Sequence, residues 1–275
     1  MPLKDVELLL TEPRGFCAGV DRAIDIVNRA VEIFDQTVYV KHEVVHNKHV
    51  IKDLVDKGVI FIESLDDVPS GSILIYSAHG VSKEVSNQAK SKNLKVFDAT
   101  CPLVTKVHFE IHKYASENID VILIGHSGHP EVEGTMGQYI SDHGQIHLVE
   151  TLDDIDQLNI NSDKIAYVTQ TTLSVSDTQN IIDYLKTKFP NIIGPRKDDI
   201  CYATQNRQEA VKKILKYCSS LIVVGSKNSS NSQRLKEIAQ QNGIPSYLID
   251  EVSQLDLGEL SNGDVIGITA GASAP

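Results

Sequence analysis

The sequence predicts an α/β protein built from mainly parallel sheets. Short runs rich in β-branched residues alternate with helix-length periodic segments along all 275 residues, and no low-complexity linker interrupts them. Polar loops follow one predicted strand after another, as expected where parallel strands end at a common edge. The candidate strands are residues 6–10, 37–41, 59–62, 72–77, 95–98, 120–125, 146–149, 164–169, 220–225, 246–249 and 264–269.

Helix-like segments lie between these strands, and the clearest are VDRAIDIVNRAVEIF and QNRQEAVKKILKYC. A turn, a cysteine and then a helix recur at Cys17, Cys101 and Cys201, each about one α/β domain apart. This rhythm predicts three related α/β domains. Their predicted boundaries are residues 1–100, 101–196 and 197–275.

Composition narrows the class of protein. The net charge of −11 argues against a nucleic-acid partner, which would require a basic face. The longest apolar runs, such as VILIG and LIVVG, fall far short of the ~20 residues of a membrane helix, and no signal peptide is recognisable. We therefore expect a cytoplasmic protein with no membrane partner. The negative net charge does not exclude a small anionic substrate, because a local nest of amides and hydroxyls binds phosphate even in an acidic protein.

Four cysteines in a cytosolic chain of this length favour metal or redox chemistry over a disulfide framework. Cys17, Cys101 and Cys201 each precede a helix, whose dipole favours the metal-ligating thiolate. If the three units surround a common axis, these thiols meet at one centre holding zinc or an iron–sulfur cluster. The alternative is three unrelated buried thiols. Cys218 is predicted to be a core residue.

The loops at the strand ends are unusually rich in polar side chains. GSKNSSNS offers hydroxyls, amides and backbone N–H groups before a helix, which indicates an anion site or, alternatively, a flexible serine-rich turn. His46, His79 and His129 lie in loops beside Gly or Asn. They are candidate phosphate donors or proton carriers, or else solvated histidines. Glu131 is a candidate general acid if a closed site raises its pKa, and otherwise a surface glutamate.

Nine motifs in succession resemble those of the 4-hydroxy-3-methylbut-2-enyl diphosphate reductase family, and they span nearly the whole chain. They are GFCAGVDRAI, VHNKHV, SAHGVS, DATCPLVTKVH, GHPEVEGTMGQ, TQTTLS, GPRKDDICYATQNRQEAV, GSKNSSNSQRL and ITAGASAP.

The resemblance implies a fold and a set of site residues. It implies three α/β domains in a trefoil around an oxygen-sensitive [4Fe–4S] cluster held by Cys17, Cys101 and Cys201. Glu131 matches the family's proton donor and Thr171 the threonine near the substrate hydroxyl, and His129 joins them in the catalytic set. The residues implied to bind the substrate are His46, His79, His129, Thr171, Ser229, Ser230, Asn231 and Ser273.

The implied reaction removes an allylic hydroxyl as water, using two electrons usually delivered by ferredoxin or flavodoxin. The products are isopentenyl and dimethylallyl diphosphates. The residues suit this chemistry, because cleavage of a C–O bond with a poor leaving group needs a Lewis acid and a proton. Chains of the family that this sequence resembles usually continue past GASAP with a C-terminal segment that returns to the first domain. The sequence stops at Pro275, so we expect this C-terminal segment to be absent.

Two other classes of function compete with this interpretation. A non-catalytic redox or metal sensor would use the three thiolates but leave the serine-rich loop, the loop histidines and Glu131 without a role. A zinc-dependent hydrolase of phosphorylated substrates would require His and carboxylate ligands at short spacing on one helix, as in HExxH. HEVVH at residues 42–46 has this spacing, but it directly follows the predicted strand 37–41 and does not lie in a predicted helix.

Overall fold

Residues 5–160, 162, 164–256, 258, 260 and 264–275 are described by a computed structural model. They divide into two units. Unit 1 comprises the described residues up to Asp21, His46–Ile51 and those of Tyr202–Pro275. Unit 2 comprises Arg22–Val45 and those of Lys52–Cys201.

The described residues contain eleven strands and nine α-helices. The strands are β1 (Glu7–Leu10), β2 (Val38–Lys41), β3 (Ile60–Ile62), β4 (Ile73–Tyr76), β5 (Lys95–Asp98), β6 (Asp120–Ile124), β7 (Ile146–Val149), β8 (Ile165–Thr169), β9 (Ser220–Val224), β10 (Ser246–Ile249) and β11 (Val265–Ala270). The helices are α1 (Ala18–Ile33), α2 (Lys48–Asp56), α3 (Lys83–Ser91), α4 (Pro102–Ser116), α5 (Pro130–Met136), α6 (Leu152–Gln157), α7 (Val175–Lys188), α8 (Tyr202–Leu215) and α9 (Ser230–Gln241). Across the described residues, every helix is too short or too polar to cross a membrane.

The strands form three parallel sheets. Unit 1 holds the order β1-β11-β9-β10, and unit 2 holds β3-β2-β4-β5 and β7-β6-β8. Each pairing between the named strands is parallel, as in Leu8 beside Ile266 and Val40 beside Ile75. The predicted α/β class with parallel sheets is thus confirmed. The division into three domains at residues 100 and 196 stays a prediction.

Two central strands of unit 2 are buried, whereas two edge strands are exposed. β4 and β6 lie in the middle of their sheets and are buried over nearly their whole length. A parallel strand covered by helices on both faces requires such a continuous apolar run, here ILIY and DVILI. The edge strands β1 and β5 are largely exposed.

Helix caps fix the loops that leave the carboxyl ends of the strands. Ser82, His129 and Ser229 accept backbone N–H groups at the starts of α3, α5 and α9, respectively. Proline occupies the first turn of α4 after Cys101 and of α5 after His129, where a missing N–H costs nothing. Several candidate site residues therefore stand at helix starts, with their backbone conformation fixed by the helix that follows.

Cys218 lies in the core of unit 1, as predicted. It is buried, its Sγ donates to the Ile214 carbonyl at 3.2 Å, and burial raises the pKa of its thiol.

Candidate active site

A buried carboxyl group joins two strand-end loops of unit 2. Glu131, in the first turn of α5, is 4% exposed. The Thr171 backbone N–H donates to its Oε1 at 2.6 Å, and the Thr171 hydroxyl donates to its Oε2 at 3.0 Å. Thr171 follows β8 and is itself buried. The structure thus brings together the two residues predicted to act on the substrate hydroxyl.

Burial raises the pKa of Glu131 to about 7, the hydrogen bonds from Thr171 oppose the shift, and the nearby charge of Asp199 adds to it. A carboxyl group usually titrates near 4, so this group exchanges its proton close to neutral pH. That value suits a general acid or base.

His129 and His79 lie beside each other in unit 2. The Glu131 N–H donates to Nδ1 of His129 at 3.1 Å, so the neutral ring carries its proton on Nε2 and presents a donor there. The two imidazole rings meet edge to face with centroids 5.7 Å apart. Both histidines are half-buried. The pair can supply two donors to an anion.

The His79 loop is held tightly at Gly80. This glycine has φ +78°, and a Cβ at its position would lie 2.6 Å from Cε1 of His108. On α5, a Cβ at Gly134 would lie 3.3 Å from the Gly80 carbonyl carbon. A glycine is therefore required at position 80 for backbone conformation and for space.

Cys101 and Cys201 are tied to these same loops. The Cys101 N–H donates to the Ala78 carbonyl at 2.9 Å, next to His79. The Cys201 N–H donates to the Thr171 carbonyl at 3.0 Å. Unit 2 thus places each of these cysteines one backbone hydrogen bond from a loop that carries a candidate substrate ligand.

In unit 1, hydroxyl groups gather around the start of α9. The Ser273 hydroxyl donates to the His46 carbonyl at 3.0 Å and lies 3.2 Å from the Ser229 hydroxyl. The Asn231 side-chain carbonyl accepts the Ala272 N–H at 2.8 Å. Ser229, Asn231 and Ser273 are buried, and Ser230, the first residue of α9, is half-buried. Unit 1 therefore brings together Ser273, the serine loop (residues 225–232) and the His46 segment (His46–Ile51).

Cys17 is anchored to the same part of unit 1. Its N–H donates to the Ala272 carbonyl at 3.2 Å. The buried guanidinium of Arg207 donates to the Gly15 carbonyl through Nε at 3.2 Å and to the Phe16 carbonyl through Nη2 at 3.2 Å. The loop that precedes the thiol is thereby held in place.

Cys17, Cys101 and Cys201 are half-buried, and none forms a disulfide. Soft thiolates suit iron–sulfur clusters and zinc, so the donor chemistry fits the cluster that the sequence implies. Within the described ranges, no group of three or more His, Cys, Asp or Glu side chains is arranged to hold a metal ion. The assignment of these three cysteines as cluster ligands stays a prediction.

Sequence patterns did not identify Asp199 and His108. Asp199 is buried, pairs with Nζ of Lys106 at 2.8 Å and accepts the Thr169 N–H at 2.9 Å. Its only sequence signal is an acidic residue two positions before Cys201. His108 is buried beneath Gly80, and its burial lowers its pKa to about 4. Its place on a helical face at the spacing of core residues was the only available signal.

Substitution of Gly80 tests the tight packing under the His79 loop. Gly71 has the same φ of +78°, but a Cβ added there would meet no atom of the described residues within 4 Å, so it is a matched control. We expect Gly71→Ala to lower the free energy of unfolding by about 1 kcal/mol, the cost of the left-handed backbone. Gly80→Ala should lose ~1–3 kcal/mol more through the clash with His108. Urea unfolding of both variants measures the difference, and equal losses would contradict the packing argument.

The raised pKa of Glu131 predicts a pH-dependent stability. The folded protein holds this proton more tightly than the unfolded chain does, so the protonated carboxyl stabilises the fold. This contribution to the free energy of unfolding is complete below the ordinary carboxyl pKa of 4.5 and is lost as the pH rises through about 7. Because glutamine does not titrate, Glu131→Gln should gain on the order of 3 kcal/mol relative to the wild type between pH 4.5 and pH 8. Urea unfolding at both pH values tests this, with exposed Glu133→Gln as the control. Parallel pH profiles for wild type and Glu131→Gln would refute the shift.

The chain matches one protein-family model and is similar to proteins of several organisms. Residues 8–275 match the family model described as LytB protein. A protein of Acinetobacter baylyi is 60% identical over 272 residues, which are 98% of this chain and 86% of that protein. One of Methylococcus capsulatus is 57% identical over 271 residues, 98% of this chain and 87% of that protein. Both are named 4-hydroxy-3-methylbut-2-enyl diphosphate reductase.

Two solved structures are also similar. The E-1-hydroxy-2-methyl-but-2-enyl-4-diphosphate reductase of Plasmodium falciparum has a TM-score of 0.92 and 47% identity, covering 100% of this chain and 85% of that one. A second structure, of (E)-4-hydroxy-3-methyl-but-2-enyl diphosphate reductase, has a TM-score of 0.69 and 31% identity, covering 98% and 95%. On this match over residues 8–275 and the near full-length similarity to these relatives, the chain belongs to the LytB protein family.

Proposed function

We propose that the protein reduces (E)-4-hydroxy-3-methylbut-2-enyl diphosphate to isopentenyl diphosphate and dimethylallyl diphosphate. The observation that carries the proposal is the buried Glu131 carboxyl, held by both donors of Thr171 and with its pKa raised to about 7. Relatives 57% and 60% identical, both named 4-hydroxy-3-methylbut-2-enyl diphosphate reductase, support it.

The reaction consumes two electrons and two protons: the C–O bond breaks, a C–H bond forms and water leaves. Glu131 is proposed to deliver the proton that turns the departing hydroxyl into water. Near pH 7 a large share of its carboxyl groups still carry that proton. The Thr171 hydroxyl, 3.0 Å from Oε2, orients the carboxyl and provides a second hydrogen-bonding group toward the substrate oxygen.

Binding of the diphosphate is assigned to uncharged donors and backbone N–H groups. His129 presents Nε2–H, because its Nδ1 already accepts the Glu131 N–H. The Ser229 hydroxyl stands at the start of α9, where the helix dipole favours an anion. The proposed diphosphate ligands are His46, His79, His129, Ser229, Ser230, Asn231 and Ser273, and Thr171 completes the substrate-binding set at the substrate hydroxyl. Such donors fix the pose of the substrate, which is where positioning contributes to the rate.

A [4Fe–4S] cluster is the proposed cofactor, with Cys17, Cys101 and Cys201 as the residues that would hold it. When bound, it supplies electrons singly and a Lewis-acidic iron. The electrons must come from outside, and we propose a small electron-transfer protein such as ferredoxin or flavodoxin, in the cytoplasm. The non-catalytic sensor finds no support, since the relatives are named as reductases.

Substitution of Glu131 by glutamine tests the proposed proton donor. We expect kcat to fall at least ~100-fold, because a positioned acid contributes about that much or more. The dissociation constant for the substrate should stay within about threefold, because the amide keeps the shape of the carboxyl. The assay uses anaerobically prepared protein, a chemical reductant and the hydroxylated diphosphate.

The matched control is Glu133→Gln, an exposed glutamate in the same helix, which should keep wild-type turnover. Equal losses of turnover and binding in Glu131→Gln would rule out the proton-donor role. No reduction of the diphosphate by wild-type protein with a reconstituted cluster would overturn the proposed function.

A further inference from the structure

A buried hydroxyl–carboxylate pair in unit 1 has no role in the proposed reaction. Ser226 follows β9 and is fully buried, and Asp250 follows β10 with its side chain 5% exposed. The Ser226 hydroxyl donates to Oδ1 of Asp250. Neither residue belongs to the set assigned to the diphosphate.

The pair contacts the start of α2, directly after His46. The Lys48 N–H donates to the Ser226 hydroxyl at 3.3 Å, and Nζ of Lys48 lies 3.3 Å from Oδ2 of Asp250. Nε2 of His49 lies 3.3 Å from the Asp250 carbonyl oxygen. Two consecutive residues of the segment that carries His46 are thus held by one carboxylate residue and its serine partner.

His46 itself contacts Ser273 and Asn228. Its carbonyl accepts the Ser273 hydroxyl at 3.0 Å, and its Nδ1 lies 3.3 Å from Nδ2 of Asn228. The Asn47 side chain is buried and accepts the N–H groups of His49 and Val50 at 3.0 Å, which fixes the first turn of α2. The position of the His46 ring therefore depends on where this short segment is seated.

The chemistry of the hydroxyl explains why a carboxylate is needed. A serine hydroxyl has one proton to donate. Asp250 accepts the hydrogen bond from this hydroxyl, so a lone pair of the Ser226 oxygen faces the Lys48 N–H. Without the carboxylate, the hydroxyl is free to rotate. Its proton can then point at the Lys48 N–H, and the hydrogen bond from Lys48 to Ser226 is lost. A buried negative charge beside an anion site is otherwise unfavourable, and the Lys48 ammonium offsets it.

We propose that Asp250 is a positioning residue that acts through Ser226 to seat the His46 segment for diphosphate binding. This inference rests on the proposed function, in which His46 contacts the diphosphate. Asp250 is outside the set assigned to the substrate, so its loss should weaken binding and spare the chemical step.

The test compares Asp250→Ala, Asp250→Asn, His46→Ala and the double variant His46→Ala/Asp250→Ala as cluster-loaded enzymes. For Asp250→Ala we expect KM, and the Kd for inorganic diphosphate, to rise about tenfold with kcat within about twofold, the size expected for one lost buried hydrogen bond. Asp250→Asn should restore most of the affinity, because its amide oxygen still accepts the Ser226 proton. In the His46→Ala background, Asp250→Ala should add little, since the two act in series.

The matched control is Asp56→Ala, at the far end of α2. Asp56 is exposed and pairs with Lys52 at 2.8 Å, so its loss removes a carboxylate–lysine contact from the same helix without touching the His46 segment. It should bind inorganic diphosphate like the wild type.

If wild type binds diphosphate and Asp250→Ala binds it equally well, the role of Asp250 is overturned and the proposed function is not. A full further loss from Asp250→Ala in the His46→Ala background, or a fall in kcat that Asp250→Asn does not rescue, would also overturn the role of Asp250. A wild-type protein that neither binds inorganic diphosphate nor reduces the substrate would overturn the proposed function, and this inference with it.

Discussion

The double hydrogen bond between Thr171 and the Glu131 carboxyl is the contact on which the site in unit 2 depends. A carboxyl group that is 4% exposed is costly to ionise, and burial moves its proton exchange close to neutral pH. The contact joins the loop after β8 to the start of α5. It also reaches Cys201, whose N–H donates to the Thr171 carbonyl. One threonine thus links a proton-carrying group to a predicted cluster ligand.

In unit 1, hydroxyl groups lie close to the residues proposed to bind the diphosphate. Its hydroxyls, those of Ser226, Ser229 and Ser273, are buried and engaged with one another, with backbone groups or with Asp250. These bonds fix the start of α9 in place, so its backbone N–H groups need little reorganisation to receive an anion. An acidic protein can hold a diphosphate in this way, because fixed local dipoles need no net positive charge.

Sequence patterns predicted the strands and helices, but they did not predict which side chains contact one another. The β-branched run at 120–125 corresponds to β6 at Asp120–Ile124, because a buried parallel strand requires such a run. The family resemblance brought out Glu131 and Thr171, but their pairing joins residues far apart in sequence and exists only after folding. Asp199 and Asp250 have the sequence pattern of ordinary surface acids until packing buries them. Burial of a polar residue depends on which partner the fold brings to it, and local pattern does not carry that information.

Three of the four cysteines, Cys17, Cys101 and Cys201, are proposed to hold an iron–sulfur cluster for reductive chemistry. Iron and acid-labile sulfide per chain, in protein purified and reconstituted without oxygen, measure this directly. We expect about four of each in wild type and in Cys218→Ser, whose thiol lies in the core. We expect a marked loss in Cys17→Ser, Cys101→Ser and Cys201→Ser. Zinc without sulfide, or an undiminished cluster in any of those three variants, would contradict the proposed cluster site.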